Sequence, residues 1–227
     1  MQLIEIYKSL QGESSYAGLP CVFVRTAGCN LRCIWCDSEY TFKGGQKYSI
    51  ADVTGEVRRL SPEGGLVEIT GGEPLLQEAE VVALMEDLLG GGYTVLIETS
   101  GERLLDKVPP EVIKIVDVKC PHSGEGGTFH AENLKWLTSR DEVKFVLVSR
   151  QDYEFARDFI RDHQLGSKVA SVILSPAFRK DASGARDASH CLLDPSELAE
   201  WMLADGLNAR LGLQIHKFIW EPSLKGV

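Results

Sequence analysis

The chain predicts an α/β fold: an open, partial barrel of about six parallel strands with helices packed on its outside. Three observations predict it. Short apolar runs alternate with stretches of helical period, the pattern of parallel strands joined by right-handed crossovers. These units number about six, too few to close an eight-fold barrel. No linker, repeat or shift of composition divides the 227 residues, a length that suits one domain, spanning 1–227, with a full core.

Residues 1–7 read as a short strand. The first barrel strand is 21–26, Cys21-Val22-Phe23-Val24-Arg25-Thr26, and it feeds directly into a cysteine-rich loop. Residues 52–60 are expected to be helical, with Asp52 or Ser49 as cap. A second strand covers 65–70. Across 78–89 the residues Val81, Val82, Leu84, Met85, Leu88 and Leu89 keep a helical period, and Gly90-Gly91-Gly92 ends it. Strands follow at 94–98, 112–118 and 142–148, a helix at 152–163, and a sixth strand at 168–174. A last helix, 195–204, starts after the cap candidate Asp194 with Pro195 at its first position. Residues 176–192 are rich in Ala, Ser, Gly, Asp and Arg without a period and read as an irregular loop.

Composition narrows the functional classes. Apolar residues at 44% and charged residues at 25% fit an ordinary soluble globular protein. A net charge of −9 argues against a broad nucleic-acid-binding face. No apolar run approaches the ~18 residues of a membrane span. The first residues lack the basic start and apolar core of a signal peptide. Clustered free thiols without a secretion signal point to a reducing cytoplasm.

The run Cys29-Asn30-Leu31-Arg32-Cys33-Ile34-Trp35-Cys36 has the spacing C-x3-C-x2-C. Three thiolates in one short loop can converge on one metal centre. A closed zinc site or an ordinary iron–sulfur cluster takes four protein ligands. Three leave one iron of a cubane open for chemistry, and the flanking Ile34 and Trp35 would shield the cluster. The competing zinc knuckle needs a second C-x-x-C or a His pair. Cys21, Cys120 and Cys191 are isolated, and no two His lie three to five residues apart. A zinc or redox module completed by a distant histidine such as His122 is the non-enzymatic alternative.

Further motifs fall at strand ends. Ile69-Thr70-Gly71-Gly72-Glu73-Pro74 places two glycines where a backbone can approach a ligand; a tight turn before a helix explains the same run. Glu98-Thr99-Ser100-Gly101, Asp117-Val118-Lys119 and Leu147-Val148-Ser149 put polar atoms at C-terminal strand ends, where ligands bind in parallel sheets. Helix capping or loop solvation is the alternative for each.

The cysteine spacing resembles the radical S-adenosylmethionine (SAM) superfamily, and the resemblance implies a partial (β/α)6-type barrel. It implies a [4Fe–4S] cluster on Cys29, Cys33 and Cys36, with the amino and carboxylate groups of SAM on the open iron. One electron, from a partner such as flavodoxin or ferredoxin, then cleaves SAM to an adenosyl radical. Matching positions place the cofactor at Trp35, Cys36 and Asp37, at the Gly72 backbone with Glu73 in support, and at Asp117, Val118 and Lys119. Thr99, Ser149 and Ser175-Pro176-Ala177-Phe178 are additions.

A narrower resemblance spans the chain. The leader Ser9-Leu10-Gln11-Gly12-Glu13-Ser14, the run from Phe23 to Ser38, the tail Leu213-Gln214-Ile215-His216-Lys217-Phe218-Ile219-Trp220 and the end Lys225-Gly226-Val227 are similar to the 7-carboxy-7-deazaguanine synthase family. That family contracts the ring of 6-carboxy-5,6,7,8-tetrahydropterin to 7-carboxy-7-deazaguanine and releases ammonia, in the 7-deazapurine (queuosine) pathway. The resemblance implies substrate contacts at Leu10, Gln11, Gly12, Arg25, Thr70, His216 and the carboxylate of Val227, with the leader 1–20 and tail 211–227 completing the site. It implies Mg2+ beside Ser38, where many relatives carry threonine. A homodimer is expected. A glycyl-radical-enzyme activase shares the cysteine spacing and is the second enzymatic reading, but it would lack this leader and tail.

Overall fold

The structure, a computed structural model, describes residues 1–227. Strand β1 (Gln2–Leu10) turns through 11–19 and returns as β2 (Pro20–Thr26), antiparallel to it. That turn is too short for a crossover, so the pair is antiparallel. Strand β3 (Gln46–Lys47) pairs antiparallel with the other edge of β1. From β2 the sheet continues in parallel through β4 (Leu66–Gly71), β5 (Thr94–Thr99), β6 (Ile113–Asp117), β7 (Glu142–Leu147), β8 (Ser171–Pro176) and β9 (Arg210–Leu211). The order is β3-β1-β2-β4-β5-β6-β7-β8-β9, and no pairing joins its ends. The sheet is therefore open, as expected, but mixed rather than wholly parallel. The six predicted barrel strands are β2 and β4 to β8.

Six helices accompany the strands: α1 (Ile50–Leu60), α2 (Glu78–Gly90), α3 (Arg150–Asp162), α4 (Leu165–Lys168), α5 (Pro195–Ala204) and α6 (His216–Ile219). Ser49, not Asp52, caps α1; Asp52 sits three residues on and closes a reciprocal capping box. Strand β8 begins later than predicted because 165–168 forms a helical turn, and it runs on through Pro176. The links from β5 to β6 and from β6 to β7 contain no α-helix; the second passes through 3₁₀ turns at Pro121–Ser123 and Ala131–Lys135.

Strand periodicity sorts the interior. Val22 and Val24, Val67 and Ile69, Val95 and Ile97, Val143 and Phe145 face the helices and join Leu84, Met85, Leu88, Tyr153 and Leu198 in the main core. The alternate positions carry a second, smaller cluster of Cys21, Phe23, Leu66, Leu96, Ile113 and Ile115. Further along the same strands, that inner face turns polar: Arg25 and Thr70, Glu68 and Glu98, Asp117 and Lys144. Apolar packing thus closes one end of the half-barrel, and charge lines the end where the strands finish.

Candidate active site

A cavity of about 960 Å³, its open mouth included, lies at the C-terminal ends of the parallel strands. This is the upper part of the about 300–1,000 Å³ range of small-molecule sites. Cys29, Cys33 and Cys36 all line it. Their loop is gripped from two sides. The Glu73 N–H donates to the Gly28 carbonyl (2.9 Å), and the Ile34 N–H donates to the Ser123 carbonyl (2.9 Å). Gly72 lies so close to Gly28 and Cys29 that a Cβ would overlap both. All three thiols are free. No three His, Cys, Asp or Glu side chains converge tightly enough for a single metal ion. Three thiols on one cavity wall, without a fourth protein ligand, are a donor set that fits a multi-iron cluster with one open iron rather than a closed four-ligand zinc site. Burial pushes the Cys33 thiol up to about 11 and raises Cys29 as well, so metal binding there displaces protons. Trp35 lines the cavity, whereas Ile34 is 63% exposed and does not shield it as expected.

On the expected cofactor side, Cys36, Asp37, Gly72, Thr99, Asp117, Lys119, Ala177 and Phe178 reach the cavity. The Asp117 Oδ2 accepts from Lys119 Nζ (2.8 Å), while its Oδ1 is buried and unpartnered. An orphaned acceptor in a ligand cavity fits the donor hydroxyls of a ribose. The residues present therefore fit a cluster with SAM beside it. Five expected contacts are placed differently. Glu73 is buried behind the wall, accepting from the hydroxyls of Thr99 (2.7 Å) and Ser100 (2.6 Å) and from the N–H groups of Ser100 and Leu75. It braces the end of β5. Val118, one step past Asp117 at the end of β6, packs in the helix-facing core. Ser149 caps α3 through the Asp152 N–H and meets His122 Nδ1 at 3.0 Å, away from the cavity. Ser175 and Pro176 are buried within β8, one step short of the wall that Ala177 and Phe178 form.

On the expected substrate side, Arg25 and Thr70 line the cavity. Much of the Arg25 fork is engaged: Nε donates to Glu5 (2.8 Å) and Nη2 to the Tyr7 hydroxyl (2.7 Å). The leader works mainly through Glu13, which lines the cavity where Leu10, Gln11 and Gly12 do not. Gln11 is buried with both ends of its amide occupied. Its Oε1 accepts from the Glu13 and Ser14 N–H groups (2.8 Å each), and its Nε2 donates to Glu68 (2.9 Å). It is a brace for the leader rather than an open hydrogen-bonding edge. Gly12 touches the His216 ring, leaving no room for a Cβ, and its carbonyl accepts from the Ile215 N–H (3.1 Å). His216 stands behind Glu13, Nε2 to Oε1 at 3.9 Å. Val227 is off the cavity wall; the preceding turn lies near Glu5, and Lys225 covers the Tyr40 ring at 4.3 Å. Ser38 lines the cavity with a hydroxyl that caps nothing and stands 3.7 Å from Cys36 Sγ.

Lys144 was not anticipated as a site residue, and Glu13, Glu98, Ser100 and Gln214 figured only as members of the leader, strand-end and tail runs. Lys144 Nζ donates to Glu13 (2.8 Å) and to Glu98, and Gln214 Nε2 donates to Glu13 (2.9 Å). Burial works against the Glu13 carboxylate, but Lys144 and His216 outweigh it and hold Glu13 below the usual range. Burial raises Glu98, and it pushes Glu68 up to about 8 with Glu98 adding to it. The signal in the sequence was a charge inside each apolar run, Glu68 in Leu66-Val67-Glu68-Ile69 and Lys144 in Val143-Lys144-Phe145.

The family model of the radical SAM superfamily matches residues 23–117, the stretch that holds the three thiols, Gly72 and Asp117. The fold resembles the crystal structure of QueE from Escherichia coli with a TM-score of 0.71 at 23% identity, over 93% of this chain and 92% of that one. Half-barrel, three-thiol loop and superfamily match together make this chain a radical SAM enzyme. It is also 68% identical over 227 residues to the 7-carboxy-7-deazaguanine synthase of Koribacter versatilis, covering all of both chains. With that of Chlorobaculum tepidum it shares 39% over 230 positions, covering 100% of this chain and 97% of the other. The chain belongs to the 7-carboxy-7-deazaguanine synthase family.

Proposed function

We propose that the chain contracts the ring of 6-carboxy-5,6,7,8-tetrahydropterin to 7-carboxy-7-deazaguanine with release of ammonia, as a radical SAM lyase of 7-deazapurine (queuosine) biosynthesis. One observation carries the reading: the three thiols and the Glu13–Lys144–Glu98 group line the same cavity. A radical-generating centre and a polar cradle for a heterocycle then share one cavity.

Bound cluster and SAM supply one-electron hydrogen abstraction. The protein supports it by position. Cys29, Cys33 and Cys36 hold iron, and the glycine at 72 lets the strand end press against their loop. Asp117 Oδ1 would accept from the ribose, while Lys119 Nζ holds the other oxygen, Oδ2, at 2.8 Å. Glu13 and Glu98 accept from the amino and ring N–H edge of the pterin. The part of the Arg25 guanidinium not used by Glu5 and Tyr7 faces the substrate carboxylate. Ser38 would offer one hard oxygen to Mg2+, a single neutral ligand that needs further oxygens from outside the chain. A flavodoxin or ferredoxin provides the electron, and the enzyme works as a cytoplasmic homodimer.

The test is anaerobic turnover of the reconstituted protein with SAM, a reductant and the carboxytetrahydropterin, followed by mass spectrometry. The expected products are 7-carboxy-7-deazaguanine and ammonia. Iron-loaded protein that cleaves SAM reductively and leaves the pterin unchanged contradicts the assignment.

A further inference from the structure

Lys144 is the cation at the centre of the polar layer. It points inward from β7, its side chain is 2% exposed, and it is held by Glu13 Oε2 (2.8 Å) and Glu98 Oε1, with Asp117 Oδ2 at 4.0 Å. The groups that face it come from every neighbouring element: Glu13 from the leader, Glu68 from β4, Glu98 from β5, Asp117 and Lys119 from the end of β6, and His216 from the tail. Lys119 is taken by Asp117 at 2.8 Å, which leaves Lys144 as the ammonium bonded to the two glutamates of the cavity wall. Each glutamate gives Lys144 one oxygen. The second oxygen of Glu13 accepts from Gln214, and the second oxygen of Glu98 has no partner within the chain.

We propose that Lys144 is a positioning residue that keeps Glu13 and Glu98 as hydrogen-bond acceptors, and thereby makes the cavity select a heterocycle edge that donates. This rests on the pterin reading of the cavity. Glu98, with one oxygen on the ammonium and the other unpartnered, accepts from a neutral N–H, and Glu13, held by Lys144 and Gln214, has only its remaining lone pairs to offer the same edge. The same group protonated presents an O–H and meets a donor edge with a donor. Burial already drives Glu98 upward. Deleting the Lys144 charge removes the main force opposing that drive, and at neutral pH the wall acquires a proton. Lys144 touches no ligand in this scheme; it acts through the two glutamates.

The experiment is anaerobic calorimetry of the carboxytetrahydropterin with iron- and SAM-loaded parent and Lys144→Met protein, from about pH 6.5 to pH 9, a range in which shifted carboxyls titrate. Fold and SAM binding are checked by circular dichroism and a SAM titration. The parent should bind with nearly constant affinity. The variant should bind at least ~30-fold more weakly at neutral pH, with the gap closing as the pH rises and the glutamates ionise. Lys144→Gln replaces the ammonium hydrogen bonds with amide ones but not the charge, and should show the same alkaline recovery. It serves where the Met variant does not fold. A loss that is equal at every pH, or parent-like affinity in either variant, overturns the role of Lys144. A parent that binds SAM but not the pterin overturns the substrate assignment instead.

Discussion

Lys217 of α6 pairs with Asp37 at 2.5 Å and so ties the tail to the residue after Cys36, a bond across 180 positions of sequence. The two partners are unequal: the Lys217 side chain is 4% exposed and that of Asp37 is 41% exposed. The ammonium also lies 5.4 Å over the Phe178 ring, itself in edge contact with Phe218 at 5.5 Å. Removing the acid strands a buried cation, whereas removing the base leaves a carboxylate that water can reach. Asp37→Asn should therefore cost about 1–3 kcal/mol, and Lys217→Met less. Urea midpoints of the two variants check the order.

The close approach of Gly72 to Gly28 and Cys29 predicts that Gly72→Ala displaces the cysteine loop, since the obstructing atoms include backbone. The variant should fold but take up much less iron and sulfide on anaerobic reconstitution. Ala at Cys29, Cys33 or Cys36 should abolish reductive SAM cleavage. Cys21 and Cys120 are buried and Cys191 lies outside the cavity, so Ala there should cost stability at most.

Glu68 gives a pH signature of known sign. Its carboxyl is raised to about 8 in the folded chain by burial and by Glu98. Between the ordinary carboxylate value and pH 8 the folded state therefore holds a proton that the unfolded state has lost. Stability falls as the pH rises through this window. Glu68→Gln removes the titration and keeps an acceptor for Gln11. Its stability relative to the parent should climb from about pH 5 to about pH 8 and then level off, as denaturant midpoints measured at each pH would reveal.

Ser38 carries the magnesium prediction. Turnover should be faster with Mg2+ than in chelator-treated buffer, and Ser38→Ala should lose most of that stimulation while retaining its cluster. The hydroxyl on the cavity wall, which caps no helix and meets only Cys36 Sγ at 3.7 Å, motivates it. Ser38→Thr, whose methyl restricts the rotamer, should tighten the metal response. A parent-like response in the Ala variant removes Ser38 from the site.

The strand–helix alternation and the cysteine loop were legible because local sequence encodes them: periodicity, caps and spacing. The antiparallel β1 was less so, since pairing partners depend on turn length rather than on the strand itself. Side-chain direction was the main source of misplacement. Val118 and Ser149 sit beside genuine wall residues in sequence, yet a single step along a strand turns Val118 into the core, and Ser149 serves a helix start. Gln11 has the right chemistry for a pterin, but its amide is consumed by the leader turn and Glu68. Lys144 escaped notice because its partners are 131 and 46 positions away, beyond any local window.

The contacts of the leader with the tail, Glu13 with Gln214 and Gly12 with Ile215, lie about as far apart in sequence as the chain allows, 201 positions in the first case. Loop closure on that scale grows costlier with length, though slowly, and it has to wait for its second partner. During synthesis the cysteine loop and most barrel strands emerge from the ribosome long before residue 214. The nascent chain thus displays its iron ligands while one side of the cavity is still missing. The cavity is completed only when Gln214 and its neighbours arrive, so the order of translation sets the iron ligands in place before the wall opposite them.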